Sequence, residues 1–249
     1  MSQDSPLTSL DAERHLSDPA LKQRYVTTMF DLVAPSYDRF TRWFSYGMDR
    51  GWKAELIARA VGSLAPGVTV VDLACGTGDL TLALSGRPQV RVLGVDPSGG
   101  MLALARQRRG AGRSRYLRGD MMRLPLPSGR AQLVTVAYGF RNVPDHRAAL
   151  REAARILAPG GRLCVLDFYQ PERAWWRRAF LMYLSLAGAC YGWLWHRHAE
   201  AYAYIARSIA HYVTPEGFAR DLAEAGLAVE HATRHLGGGI CLHVARKAG

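Results

Sequence analysis

The sequence predicts an α/β fold, a largely parallel Rossmann-like sheet with helices on both faces, preceded by a helical N-terminal segment and carrying a helical lid insertion. Three observations predict it. Short β-branched runs alternate with amphipathic stretches from about residue 69 onward, the signature of a sheet covered on both sides. Two glycines, Gly76 and Gly78, sit where the first strand turns into a helix, and an aspartate closes each of the next two strands.

The elements follow in order. Thr69-Val70-Val71-Asp72-Leu73-Ala74 is a strand, Cys75-Gly76-Thr77-Gly78 a turn, and residues 79–84 a helix. Residues 90–96 form the second strand, 98–109 a helix, 114–120 the third strand, 131–138 the fourth and 146–157 an amphipathic helix. Pro159-Gly160-Gly161 turns the chain into a fifth strand over 162–168. Residues 175–212 read as helical, aromatic and apolar. Thr214 and Pro215 open a helix as N-cap and first residue, running to Gly226. Strands near 229–235 and 240–246 close the chain as an antiparallel hairpin around Gly237-Gly238-Gly239. In such a sheet the ligand crevice lies at the carboxyl ends of the strands, which puts Gly76, Asp96, Asp120 and Tyr138 on one rim.

A chain of 249 residues, 49% hydrophobic and 21% charged, is not disordered and suits one large domain. Residues 1–60 are expected to form a helical segment packing on the core, and residues 61–249 the main domain, with the lid at about 172–212. The net charge is +11, from 32 Lys and Arg against 21 Asp and Glu. Nucleic acid or an anionic membrane surface could use that charge, but coding bias explains an Arg-rich chain equally well. The densest cluster, Arg106, Arg108, Arg109, Arg113, Arg115 and Arg118, has Tyr116 as its one aromatic, so it lacks a stacking platform and reads as a solvated helix end and loop. No nucleic-acid partner is expected. Cys75, Cys164, Cys190 and Cys241 show no CxxC pair, and no metal site is expected. Residues 1–21 lack an apolar run, so the expected compartment is cytoplasmic.

The glycine turn sits where a backbone can approach a ligand and a helix offers free N–H groups. A dinucleotide loop would place a third glycine where Thr81 stands, and Asp72 and Asp79 would repel pyrophosphate. A ligand without phosphate, with a cationic amino group and a ribose diol, fits better, and S-adenosylmethionine has those features. Asp96, about twenty residues beyond the loop, is placed to accept both ribose hydroxyls. Asp120 could take the adenine amino group while Met121 offers its backbone N–H. Each aspartate alone reads equally as a turn residue or helix cap.

At this point the residues resemble the ubiquinone/menaquinone biosynthesis C-methyltransferases, class I enzymes that use S-adenosylmethionine to methylate a ring carbon of a polyprenyl quinol precursor. The similarity runs from about Met29 to Lys247. Phe30-Asp31, Ala34-Pro35-Ser36-Tyr37-Asp38, Ser45-Tyr46-Gly47 and Trp52-Lys53 are similar to the family's entry signature. Tyr138-Gly139-Phe140-Arg141-Asn142-Val143 resembles its more specific aromatic-Gly-apolar-Arg-Asn-Val motif, and Leu157 to Arg162, Tyr204 to Ile209 and Gly238 to His243 continue the match. The resemblance implies cofactor contacts at Thr77, Asp96, Asp120, Met121 and Ala137, the last standing where the family commonly has Ser. Thr41 likewise stands in place of Asn, and residues 183–198 lack the expected proline turn.

Carbon methylation needs an electron-rich ring carbon in line with the sulfonium methyl and stabilisation of phenolate character on the neighbouring oxygen. Arg141, three residues past Tyr138, is the expected polarising group, directly or through water, with Asn142 orienting it. The competing reading of Arg141 is a loop-bracing ion pair to Asp145 or another acid nearby. Arginine is a poor base, so His211 and His243 are the alternatives for proton removal, and Tyr37 and Tyr204 could close over cofactor and ring. Tyr37, Tyr204 and His211 are therefore the expected substrate contacts.

Residues 179–195 carry no charge and are flanked by Arg177-Arg178 and His196-Arg197-His198, with Trp175, Trp176, Trp193 and Trp195 near the ends. At about 17 residues, interrupted by Gly188 and Gly192, the segment is short for a membrane span. It reads as a lid over a polyprenyl tail, a face resting in the headgroup layer, or an ordinary buried helix. The expected partners are a lipophilic quinol, a membrane surface at the inner face, and a second copy or a quinone-synthesis complex. The competing functions are methylation of a small phenolic or polyketide metabolite, RNA binding, and a non-catalytic scaffold.

Overall fold

The computed structural model of the chain describes residues 19–62, 67–87, 90–108, 110, 114–191 and 199–249. Its centre is a seven-stranded sheet of β1 (Thr69–Leu73), β2 (Arg91–Asp96), β3 (Ser114–Arg118), β4 (Ala131–Ala137), β5 (Leu157–Phe168), β6 (Leu227–His235) and β7 (Ile240–Lys247). The order is β3-β2-β1-β4-β5-β7-β6. The first five strands pair in parallel, and β7 runs antiparallel to both β5 and β6.

The helices are α1 (Pro19–Val33), α2 (Tyr37–Phe44), α3 (Met48–Val61), α4 (Asp79–Ser85), α5 (Gly99–Gln107), α6 (His146–Ile156), α7 (Ala174–Tyr191), α8 (Ala199–Ala210) and α9 (Pro215–Glu224). Side chains alternate across a strand, so each central strand feeds both faces. Val71, Val134, Leu163 and Cys241 pack with Leu150, Phe218 and Leu222 of α6 and α9. Val70, Leu133, Cys164 and Leu242 pack with Trp52 and Leu56 of α3 and with Leu80 and Leu84 of α4. A third cluster joins Phe44 to Phe180, Leu184, Ala206 and Ile209 of α7 and α8, and a fourth joins Tyr25, Val26 and Met29 to Tyr204.

Helix starts follow local chemistry. Ser98, Asp145 and Thr214 accept from backbone N–H groups in the first turns of α5, α6 and α9, and Pro215 occupies the first helical position of α9. One expectation is corrected. Pro159-Gly160-Gly161 does not precede β5 but lies inside it, bulged out between Ala131↔Leu157 and Leu133↔Arg162 with Gly160 at φ 72°, because both flanks still pair with β4. The expected helical segment 175–212 holds two helices, α7 and α8, and residues 192–198, which include the end of the uncharged run, lie outside the described residues.

The arginine cluster is also not simply solvated. Arg108 Nη1 donates to Thr77 O at 3.0 Å and to Asp79 Oδ1 at 2.5 Å, Arg106 donates to Tyr116 O and Arg118 to Pro97 O, while Arg109 and Arg113 lie outside the described residues. Cys75, Cys164 and Cys241 are buried free thiols, and Cys190's side chain falls outside the description.

Candidate functional site

The carboxyl ends of β1 and β4 are tightly shaped. Ala74 and Tyr138 both adopt left-handed backbone, at φ 51° and 61°, which non-glycine residues hold only when their surroundings enforce it. Between them Gly139 is obligatory on space, since a Cβ there would lie 2.7 Å from Ala74 Cβ and 2.8 Å from Val136 Cγ1. Gly76, at φ 54°, has no atom within 4 Å of where a Cβ would sit, so its backbone faces open space.

That space is a cleft of about 910 Å³ with its mouth included. Gly76, Thr77, Asp96, Asp120, Met121, Ala137 and Asn142 all line it. Gly78 does not. It caps α4 at φ 87°, pressed toward Tyr116 Oη and Ala105 Cβ, so it shapes the turn from behind. Four carboxylates, Asp72, Asp79, Asp96 and Asp120, face one ammonium group, Lys53.

The carboxylates differ. Lys53 and Arg108 hold Asp79 at 2.9 and 2.5 Å; burial works against its charge, but the two cations keep its pKa below the usual carboxylate value. Asp72 accepts from Thr81 at 2.6 Å and Thr135 at 2.8 Å, and burial pushes its pKa up to about 6. Asp96 accepts from Gly76 N at 2.8 Å and Ser98 N at 2.9 Å; burial raises it to about 6, with Asp31 adding to the shift. Each Asp96 oxygen has one protein donor, so it retains acceptor capacity toward the cleft. Asp120 is half-buried and its Oδ1 accepts from Met122 N at 2.8 Å.

The N-terminal helices wall this cleft through Gln23, Val26, Phe30 and Tyr37. Asp31 bonds Ser98 Oγ at 2.5 Å and Gly100 N at 3.0 Å, and Asp38 accepts from Thr77 Oγ1 at 2.7 Å. Lys22 Nζ donates to Val143 O at 2.8 Å and Arg141 O at 3.3 Å; burial, with Arg141 adding repulsion, lowers its pKa to about 8. The motifs Phe30-Asp31 and Tyr37-Asp38 carried the signal, but their partners lie dozens of residues away.

A second, mostly apolar cleft of about 690 Å³ adjoins the first, and Phe30, Tyr37 and Tyr138 line both. Its walls include Phe44, Trp52 and Phe168, and its polar groups include Asp49, Arg141 and Tyr204. Arg141 is 6% exposed and pairs with Asp167 at 2.7 Å, not with Asp145, which caps α6 instead. Burial alone would favour loss of the guanidinium charge, but Asp167 reverses this and raises its pKa. Nη1 also donates to Tyr138 O at 3.0 Å, while the buried Nε has no partner among the described residues. Asp167, buried between strands, was not anticipated.

Asn142 does not touch the guanidinium. It donates to Tyr138 O at 2.8 Å and accepts from Tyr204 Oη at 3.1 Å, which fixes both tyrosines. Two histidine expectations are corrected. His211 is exposed, bonds Arg207 O at 3.0 Å and lines neither cleft. His243 is buried against Pro215 O at 3.2 Å, and burial lowers its pKa to about 4, so it is a neutral core residue.

The set of carboxylate acceptors suits a ligand carrying hydroxyls and amino groups rather than phosphates. A sheet of this order with acidic strand ends opening on a nucleoside-sized cleft defines a class I S-adenosylmethionine-dependent methyltransferase. Solved structures share the fold: a Haloferax volcanii methyltransferase in complex with the activator Trm112 (TM-score 0.64, 22% identity, covering 88% of this chain and 98% of that one) and the Streptomyces coelicolor geranyl diphosphate C-methyltransferase (TM-score 0.59, 17% identity, 80% and 79%).

The ubiE/COQ5 methyltransferase family matches residues 19–247, and the chain belongs to that family. Its relatives include the demethylmenaquinone methyltransferases of Deinococcus radiodurans (37% identical, 85% of this chain and 88% of the relative) and Thermus thermophilus (38%, 82% and 93%). The ubiquinone/menaquinone biosynthesis C-methyltransferase UbiE of Methylobacterium nodulans is 38% identical over 88% of this chain and 89% of the relative. The enzyme uses S-adenosylmethionine.

Proposed function

We propose that this enzyme methylates a ring carbon of a polyprenyl quinol, with the cofactor in the acidic cleft and the ring in the apolar one. The observation that carries this reading is the junction of the two clefts at Phe30, Tyr37 and Tyr138, with the buried Arg141, whose Nε lacks a partner among the described residues, lining the apolar one. The cofactor, when bound, supplies a methyl group made electrophilic by a sulfonium.

Asp96 takes the ribose hydroxyls, and Asp120 with the Met121 N–H takes the adenine edge. Thr77, Gly76 and Ala137 bring backbone close, and Gly78 holds the turn. Arg141 stabilises negative charge on the ring oxygen through its free Nε–H, and Asn142 positions it indirectly by fixing Tyr138 and Tyr204. The aromatic walls align the ring and exclude water. The helices α1 and α2 serve as the cover of both clefts, which they line through Val26, Phe30 and Tyr37.

Methyl-labelled cofactor offered with demethylmenaquinol, a 2-polyprenyl benzoquinol or buffer tests the reading. Label should enter one quinol, and Arg141→Ala should lower kcat by about 100-fold or more. Cofactor binding without transfer to either quinol would overturn it.

The tail enters from a membrane surface. Trp175, Met182, Tyr183 and Leu186 of α7 are exposed beside Arg173, Arg177 and Arg178, a composition suited to an anionic headgroup layer. No helix among the described residues is long and apolar enough to cross a membrane.

A further inference from the structure

The ring hydroxyl must lose its proton, and the arginine beside it is already protonated and ion-paired, so a separate acceptor is required. The two histidines are both excluded by position. In the apolar cleft one carboxylate remains, that of Asp49 on α3, 7% exposed. Tyr138 Oη donates to Asp49 Oδ1 at 2.8 Å, and Lys53 Nζ meets Oδ2 at 2.9 Å.

Asp49 also lines a third, charged cleft of about 870 Å³ that opens outward between Arg42, Arg50 and Lys53. Tyr37, Thr41 and Asp49 are common to the apolar cleft and this outer one, so Asp49 stands in the wall between ring and solvent. Tyr138 faces both the cofactor cleft and the apolar cleft. Its left-handed backbone aims a ring from the end of β4 toward α3.

We propose that Tyr138 and Asp49 form the proton relay of the methyl transfer, Tyr138 receiving the proton of the ring hydroxyl and Asp49 carrying a proton to the outer cleft. The inference rests on the quinol reading above. In the step, the substrate O–H bond breaks and its proton passes to Tyr138 Oη while the tyrosine's own proton passes to Asp49 Oδ1. The electron pair left on the oxygen is delivered into the ring, the adjacent carbon bonds the methyl, and the methyl–sulfur bond breaks with its pair kept on sulfur. The hydrogen on the methylated carbon then passes as a proton to the ring oxygen, a keto–enol tautomerisation that restores the aromatic ring. One proton per turnover is left on Asp49 for release. Around Asp49 the charged groups are Lys53 and, farther off, Arg141 on the apolar side and Asp38, Arg42, Arg50, Asp79 and Arg108 along the outer cleft, so a proton gained there neutralises a carboxylate already flanked by cations.

Tyr138→Phe and Asp49→Asn should each lower kcat about 100-fold or more, leaving KM and the calorimetric affinity for S-adenosylhomocysteine within about threefold of wild type. Both should recover on a chlorinated naphthol acceptor whose hydroxyl is more acidic, which a merely structural role would not produce. Asp49→Glu should retain more activity than Asp49→Asn. If Asp49→Asn fails to fold, Tyr138→Phe decides alone. An active wild type with Tyr138→Phe turning over within about threefold of it would overturn the relay. A wild type inert toward every quinol would instead overturn the reading beneath it.

Discussion

Asp96 is a carboxylate kept partly unsatisfied: two backbone donors, deep burial and a pKa near 6 leave it short of the donors that ionisation needs. On the proposed cofactor placement, ribose hydroxyls would supply them, so cofactor binding should favour the charged form and release a proton near pH 6. Affinity should then fall toward about tenfold per pH unit below pH 6, and titration calorimetry in buffers of different ionisation heat should detect the released proton. Equal heats in both buffers would contradict this. In the free enzyme the sign is opposite. A raised carboxylate stabilises the fold fully below its unfolded value, about 3.9, and that contribution is lost as pH rises through about 6. Gly139 is the second residue whose role is set by space. Gly139→Ala should cost about 2 kcal/mol and lower the melting temperature by about 5 °C, because the clashing atoms, Ala74 Cβ and Val136 Cγ1, belong to short side chains on adjacent strands.

At the scale of elements, α1 is the piece most dependent on a few polar contacts. Its own cluster with Tyr204 is small, and Lys22 and Asp31 tie it to the Arg141–Val143 turn and to α5. Lys22→Ala should speed hydrogen exchange in α1 by about tenfold, the equivalent of about 1.4 kcal/mol, without changing exchange in β4. Mass spectrometry of deuterated peptides reads both, and uniform acceleration of α1 and β4 would show that Lys22 acts globally. The exposed face of α7 makes a separate expectation. Trp175→Ala with Leu186→Asp should weaken sedimentation with anionic vesicles at least tenfold while preserving label transfer to a detergent-solubilised quinol. Unchanged sedimentation would exclude α7 as the contact.

At the scale of the whole molecule, cofactor binding stabilises by mass action. At 100 times the dissociation constant it should add about 2.7 kcal/mol and raise the melting temperature by about 5–10 °C. The alternation of strands and helices was legible in the sequence because periodicity of burial is a local property: β1 to β4, α6, α9 and the closing hairpin fall where apolar spacing and caps place them. So was the acidic rim, because successive strand ends of a parallel sheet must meet. Asp96 needed no further information than its position after a β-branched run, and Asp120 than its place at the end of the next strand. What sequence alone did not decide was everything that rests on partners far along the chain. The 167th residue became the counter-ion of the 141st because β5 lies beside β4. His211 was sorted out of the site by its place in the turn just past α8, and His243 by strand facing. Asp49 met Tyr138 across 89 positions because α3 packs over the end of β4. Local spacing determines which face of an element is apolar, whereas ion pairs, pKa values and the junction of two clefts depend on which elements the folded core brings together.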